Sequence, residues 1–135
     1  MPERSQNLLK IRPQIKTASI SEYTGSEEQF QNLTLRPVLK LQNDLLIGVF
    51  KNYIRKHKNR FHELSLENQL EYIENSIQKD IKLRNSLKGM IIGQFTVEEY
   101  GLYIQNSSSL NKRMMNMVIM RFKDQIQLFE EPVLV

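Results

Sequence analysis

Between Leu35 and about Arg60 the apolar residues return every third or fourth position, at Val38, Leu41, Leu45, Val49 and Tyr53, with Leu39, Leu46, Phe50 and Ile54 beside them. That spacing lines one wide face of a helix and excludes a strand, whose side chains alternate with a period of two. Thr34 is expected to cap this helix, and Pro37 falls in its first turn, where a missing N–H costs nothing. The same spacing recurs from Leu66 through Leu70, Ile73, Ile77 and Ile81 to Leu87 and Ile91, with Ser65 as the N-cap. Two helices of about 25 residues, joined by a short link from Phe61 to Leu64, predict a long antiparallel helical hairpin.

Beyond the hairpin, Gly93 is expected to end the second helix in a left-handed conformation, and Thr96-Val97-Glu98-Glu99 reads as a capping box. A short helix should then run to about Gln105. Asn106 and Ser107 to Ser109 interrupt it and can cap a last helix from Leu110 to about Phe129, closed by Pro132. Near the start, Leu8, Leu9 and Ile11 suit a short helix stopped by Pro13, and Ser26 before Glu27 and Glu28 suits an N-cap. Residues 1–25 are therefore expected to form a partly irregular arm, 26–131 a single helical domain and 132–135 a tail. The predicted fold class is all-α, a helical bundle completed by dimerisation.

Composition removes whole classes of chemistry. The chain has no cysteine, so disulfides, thiolate nucleophiles and cysteine-ligated metal sites are excluded. Its two histidines, His57 and His62, are five apart and do not share a helix face as a metal pair would. Glu67, Glu71 and Glu74 lack the Glu-x-x-His pairs of a carboxylate metal site, and the serines have no histidine or acid at a triad spacing. Gly89 and Gly93 follow no strand and precede no lysine-threonine pair, so they form no phosphate loop. No catalytic residue, metal or cofactor is expected. Nor is there an apolar stretch of about 20 residues to span a membrane, and the chain reads as cytoplasmic.

What remains are surfaces. The net charge of +4 is concentrated between Lys51 and Arg60, where Lys51, Arg55, Lys56, Lys58 and Arg60 occur without an acid and could contact phosphates. In an antiparallel hairpin, however, Glu63, Glu67, Glu71 and Glu74 would face these cations and neutralise them. The last helix is the least polar, with Met114, Met115, Met117, Val118, Ile119, Met120 and Phe122 leaving almost no polar face. A helix apolar all round must be covered on every side, and in so small a chain a second copy is the economical cover. Met114, Met115, Met117, Val118 and Phe122 are the residues expected in that homodimer interface.

The run Leu83 to Tyr100, with Asn111-Lys112-Arg113-Met114-Met115-Asn116-Met117, resembles a family of short, uncharacterised bacterial all-helical proteins, some of which carry an automatic glyoxalase label. The resemblance covers most of the chain beyond residue 25 and implies no activity, substrate or catalytic residue. Glyoxalases of one type draw His and Glu ligands from strands of paired βαβββ modules, and those of the other use a histidine-rich metal motif; neither pattern occurs in this chain. Within the same run, Arg84, Asn85, Lys88, Gln94, Asn111, Lys112, Arg113 and Asn116 set amides and cations beside methionines, the mixed lining of a binding surface. The expected function is a non-enzymatic homodimeric interaction or scaffold module with a protein partner. The alternatives are a small nucleic-acid-binding regulator using residues 51–60, which is not favoured, and an enzyme whose site forms across the dimer.

Overall fold

The computed structural model describes residues 3–13 and 25–130, and within them the chain is all-α. Its helices are α1 (Glu3–Ile11), α2 (Ser26–Phe30), α3 (Arg36–Lys56), α4 (Leu66–Lys79), α5 (Ile81–Ile92), α6 (Val97–Tyr103) and α7 (Ser107–Asp124). Short 3-10 turns at Arg60–Glu63, Ile104–Asn106 and Ile126–Phe129 complete the set. The expected arm and tail boundaries, and Pro132, fall partly on or next to residues outside the described ones.

α2 and α3 form one continuous helical run, linked by a π-helical turn at Gln31–Leu35. Thr34 is thus not a cap: its neighbours are helical, and its buried hydroxyl donates instead to Glu99 Oε2 at 3.0 Å. Pro37 consequently lies within a helix, where it cannot donate to the Leu33 carbonyl and its ring crowds that carbonyl. A widened turn one step upstream is the usual accommodation. The N-cap of α2 is Gly25 rather than Ser26, with the Gln29 N–H bonded to the Gly25 carbonyl. Downstream, α3 stops at Lys56, earlier than the periodicity predicts, because Lys58 and Asn59 turn left-handed.

The second arm of the hairpin is broken at Asp80. Its backbone leaves the helical region, and its carboxylate caps α5 by accepting from the Leu83 N–H at 3.2 Å. The other carboxylate oxygen accepts from the Tyr53 hydroxyl at 2.9 Å. Tyr53–Asp80 at one end and Gln42 Nε2 donating to the Met90 carbonyl at the other make α5 the antiparallel partner of α3. α4 turns away to pack along α7. Burial of the Tyr53 ring, followed by its bond to Asp80, pushes the phenol up to about 12. Replacing Asp80 with alanine removes the cap and the tyrosine's acceptor. It is expected to cost about 1–2 kcal/mol and to bring the Tyr53 titration down, as followed by ultraviolet absorbance against pH.

This break lets a small chain enclose its most apolar helix. α7 lies against the π-helical turn, α4 and α5, and Met114, Met115, Val118, Ile119 and Phe122 are buried there. Phe50 sits at one end of the core, its ring 5.2 Å from those of both Phe122 and Phe129, with Phe61 and Tyr72 edge-on to it. Four of the five residues expected in a homodimer interface, Met114, Met115, Val118 and Phe122, therefore belong to the core of the single chain. Counting long helices underestimated the available cover, because it left out the π-helical turn and treated α4 and α5 as one rod.

α1 is docked by its polar side. Arg4 donates to the carbonyls of Gly93 and Phe95, each at 2.8 Å, and Ser5 is fully buried against Glu98. Gly93 is right-handed, not the left-handed cap expected; its carbonyl serves Arg4, and an added Cβ would meet the Gly89 carbonyl at 3.0 Å. Arg12 donates from both terminal nitrogens to Glu99 at 2.6 Å, and also to the Gln94 carbonyl. Glu99 meanwhile completes the predicted capping box with Thr96. One carboxylate thus ties together α1, the π-helical turn and α6. Leu9 and Ile11 remain exposed, so ionic and hydrogen-bonded contacts hold α1 where apolar burial does not.

Candidate anion-binding site

The outer face of α7 carries Arg113, Asn116, Met117, Met120 and Arg121, whose spacings of three, one, three and one put them on one stripe of the helix. The stripe forms a wall of a cleft of about 460 Å³, to which the π-helical turn adds Gln31 and α3 adds Arg36. That volume is within the range of small-ligand sites, roughly 300–1,000 Å³. Three guanidiniums line it, and no carboxylate does.

Each arginine is held differently. Arg113 donates to Gln31 Oε1 at 2.9 Å, and its Nε lies 3.6 Å from Glu27 Oε2, a long and partly exposed contact that neutralises weakly. Arg121 is half-buried and donates to Asn43 Oδ1 at 3.2 Å; Asn43 is fixed in turn by exchanging hydrogen bonds with Gln125. Burial, and then the charge of Arg36, pull Arg121 below the ordinary arginine range. Arg36 is exposed and, among the described residues, has no hydrogen bond or ion pair. Arg121, held by a neutral amide, and Arg36, held by no partner among the described residues, thus repel each other across the lining of one cleft. A bound anion would relieve both.

The residues singled out from sequence fare unequally. Of the eight expected in a polar binding surface, Arg113 and Asn116 line this cleft; Gln94 gives its carbonyl to Arg12, Asn111 accepts from the Tyr103 hydroxyl, Lys112 is exposed, and Arg84, Asn85 and Lys88 sit on α5 and line none of the described clefts. Met117 lines it, the one residue of the expected dimer interface that is only half-buried. Arg36, Met120 and Arg121 stand outside the expected polar surface. The α7 stripe was readable in the sequence as a helical spacing, but Arg36 comes from a distant helix.

The basic segment is arranged otherwise than expected. Lys51, Arg55, Lys56, Lys58 and Arg60 are all exposed, and none is ion-paired among the described residues. Among the described residues none of the glutamates predicted to neutralise them is ion-paired with them; α4 packs on α7, where Glu74 meets Lys123 at 3.3 Å. The segment is nonetheless dispersed. Lys51 and Arg55 line a cleft that also contains Glu130, whereas Lys56 lines another with His57, Asp80 and Lys82.

No family model, curated protein or solved structure matches the chain. Among the described residues no three His, Asp or Glu side chains gather as a metal site, and no helix is long and apolar enough to cross a membrane.

Proposed function

We propose that the protein is a non-catalytic helical binding module that captures an anionic group in the cleft of Arg36, Arg113 and Arg121. One observation carries this reading: three arginines line the cleft, and among the described residues the only carboxylate ion-paired with any of them is Glu27, on Arg113. Nothing positioned there resembles a general base paired with a nucleophile, so the arrangement favours recognition over turnover. An interaction module was the expectation from sequence, and the polar face of α7 now supplies its working surface in place of the buried methionines.

The test is thermal unfolding in anions of equal ionic strength. A ligand that binds only the folded state at about 100 times its Kd adds roughly 2.7 kcal/mol, so phosphate or sulfate should raise Tm well beyond chloride. Arg36→Gln, an exposed substitution, should leave the chloride Tm unchanged and remove most of the difference. Arg55→Gln in the dispersed basic segment should not. No anion-specific rise in the wild type, or equal losses in both variants, would refute the cleft.

A further inference from the structure

Resting on that reading, we infer that the ligand is a phosphate monoester, recognised as a dianion with an apolar organic group lying against the methionines. The first argument is charge. Arg36, Arg113 and Arg121 bring three positive charges to the lining, and Glu27, outside it and 3.6 Å from Arg113, offsets at most one of them, which leaves the cleft with an excess of at least two positive charges. A phosphate monoester carries about −1.5 to −2 at neutral pH, with a second pKa near 6. A carboxylate supplies only half of that.

The second argument is geometry. Guanidinium forks match phosphate oxygens two at a time, and guanidiniums from two helices, one on α3 and two on α7, suit an anion with three free oxygens better than a planar carboxylate with two. Gln31 and Asn43 accept from Arg113 and Arg121 and so fix the aim of two of the forks. The third argument is the rest of the lining. Met117 and Met120 stand between the arginines on the same stripe, and Met120 is largely exposed. Thioether side chains adapt to flat or irregular apolar groups, so they are the surface for whatever the phosphate is attached to.

Isothermal titration of the full chain separates the elements of this inference. Phenyl phosphate, inorganic phosphate, sulfate and benzoate are each titrated at pH 7.5 and pH 5. Phenyl phosphate should bind more than about tenfold tighter than benzoate at pH 7.5 and tighter than inorganic phosphate, and should weaken at pH 5 as it becomes a monoanion. Sulfate, a dianion at both values, should hold its affinity. Among the described residues the charged groups lining the site are Arg36 on α3 and Arg113 and Arg121 on α7, with Glu27 on α2 against Arg113, and both histidines line other clefts. A parallel loss for sulfate would place the titration in the protein and overturn the assignment. Equal binding of benzoate and phenyl phosphate would overturn the phosphate while leaving the anion cleft standing, and binding of none of the four would overturn both. Arg36→Gln should lower phenyl phosphate affinity about tenfold with an unchanged Tm; unaltered affinity would place the binding elsewhere.

Discussion

Glu99→Ala is expected to lower the free energy of unfolding by about 3–5 kcal/mol, because it strips the partner from a buried arginine. The side chain of Arg12 is only 5% exposed and that of Glu99 15%. The loss extends beyond the ion pair, since the same carboxylate accepts from the Thr34 hydroxyl and the Thr96 N–H. Arg12→Ala should cost less, about 1–3 kcal/mol, because Glu99 keeps those two donors while α1 loses its anchor. Burial pushes the Glu99 carboxyl up, but the hydrogen bonds from Arg12 and Thr96, with the charge of Arg12, pull it further down, to below the usual carboxylate range. A carboxyl depressed in the folded state contributes stability that is fully present above its unfolded value, about 4.3, and is lost as pH falls through the lower folded value. The docking of α1 should therefore weaken in acid below that pH. Urea denaturation of both variants checks the ranking, and equal losses would contradict the hub role of Glu99.

Met114→Asp should abolish folding, whereas Met117→Asp should leave a folded protein that no longer takes up anions. Met114 is fully enclosed and Met117 half-exposed, three residues further along the same helix. Truncating a buried methionine costs about 2–5 kcal/mol, and leaving an unpaired carboxylate in its place adds several more. Together these approach the whole stability of a domain, about 5–15 kcal/mol. At Met117 the new carboxylate instead meets Arg113 and Arg121 and occupies the ligand's position. Circular dichroism and anion titration of the two variants check the contrast. A folded Met114→Asp protein would show that the inner face of α7 is not the core.

The sequence was most informative where neighbours decide the outcome. Ser65 caps α4 and Thr96 with Glu99 caps α6 as expected, because a cap is settled within four residues. Periodicity identified the helices but misplaced one face. In α3 the buried apolar side chains are Pro37, Val38, Leu39, Leu46, Ile47, Phe50 and Ile54, while Leu45 of the row first in line is 58% exposed. Across Asp80 the apolar spacing simply continued, although Ile81, counted in it, is 72% exposed. An aspartate at a helix start and one at mid-helix look alike until Tyr53 is known to lie beside it.

Long-range polar pairs were illegible for a similar reason. Arg12 and Glu99 meet only because α1 folds back over the start of α6, and nothing near either residue in sequence announces the other. The last helix was read as apolar all round because its polar residues are outnumbered, yet Arg113, Asn116 and Arg121 all fall on one side with Met117 and Met120. α7 has two faces, one of which closes the core while the other stands open with arginines along it.

Methionine methyl spectra of the folded chain, recorded as phosphate is added, test that division most directly, since Met114 and Met115 report the inner face and Met117 and Met120 the outer one. The expected result is that Met117 and Met120 shift and saturate together while Met114, Met115 and Met90 stay in place. Shifts confined to Met114 and Met115, or no shift at Met117 and Met120 at saturating phosphate, would contradict it.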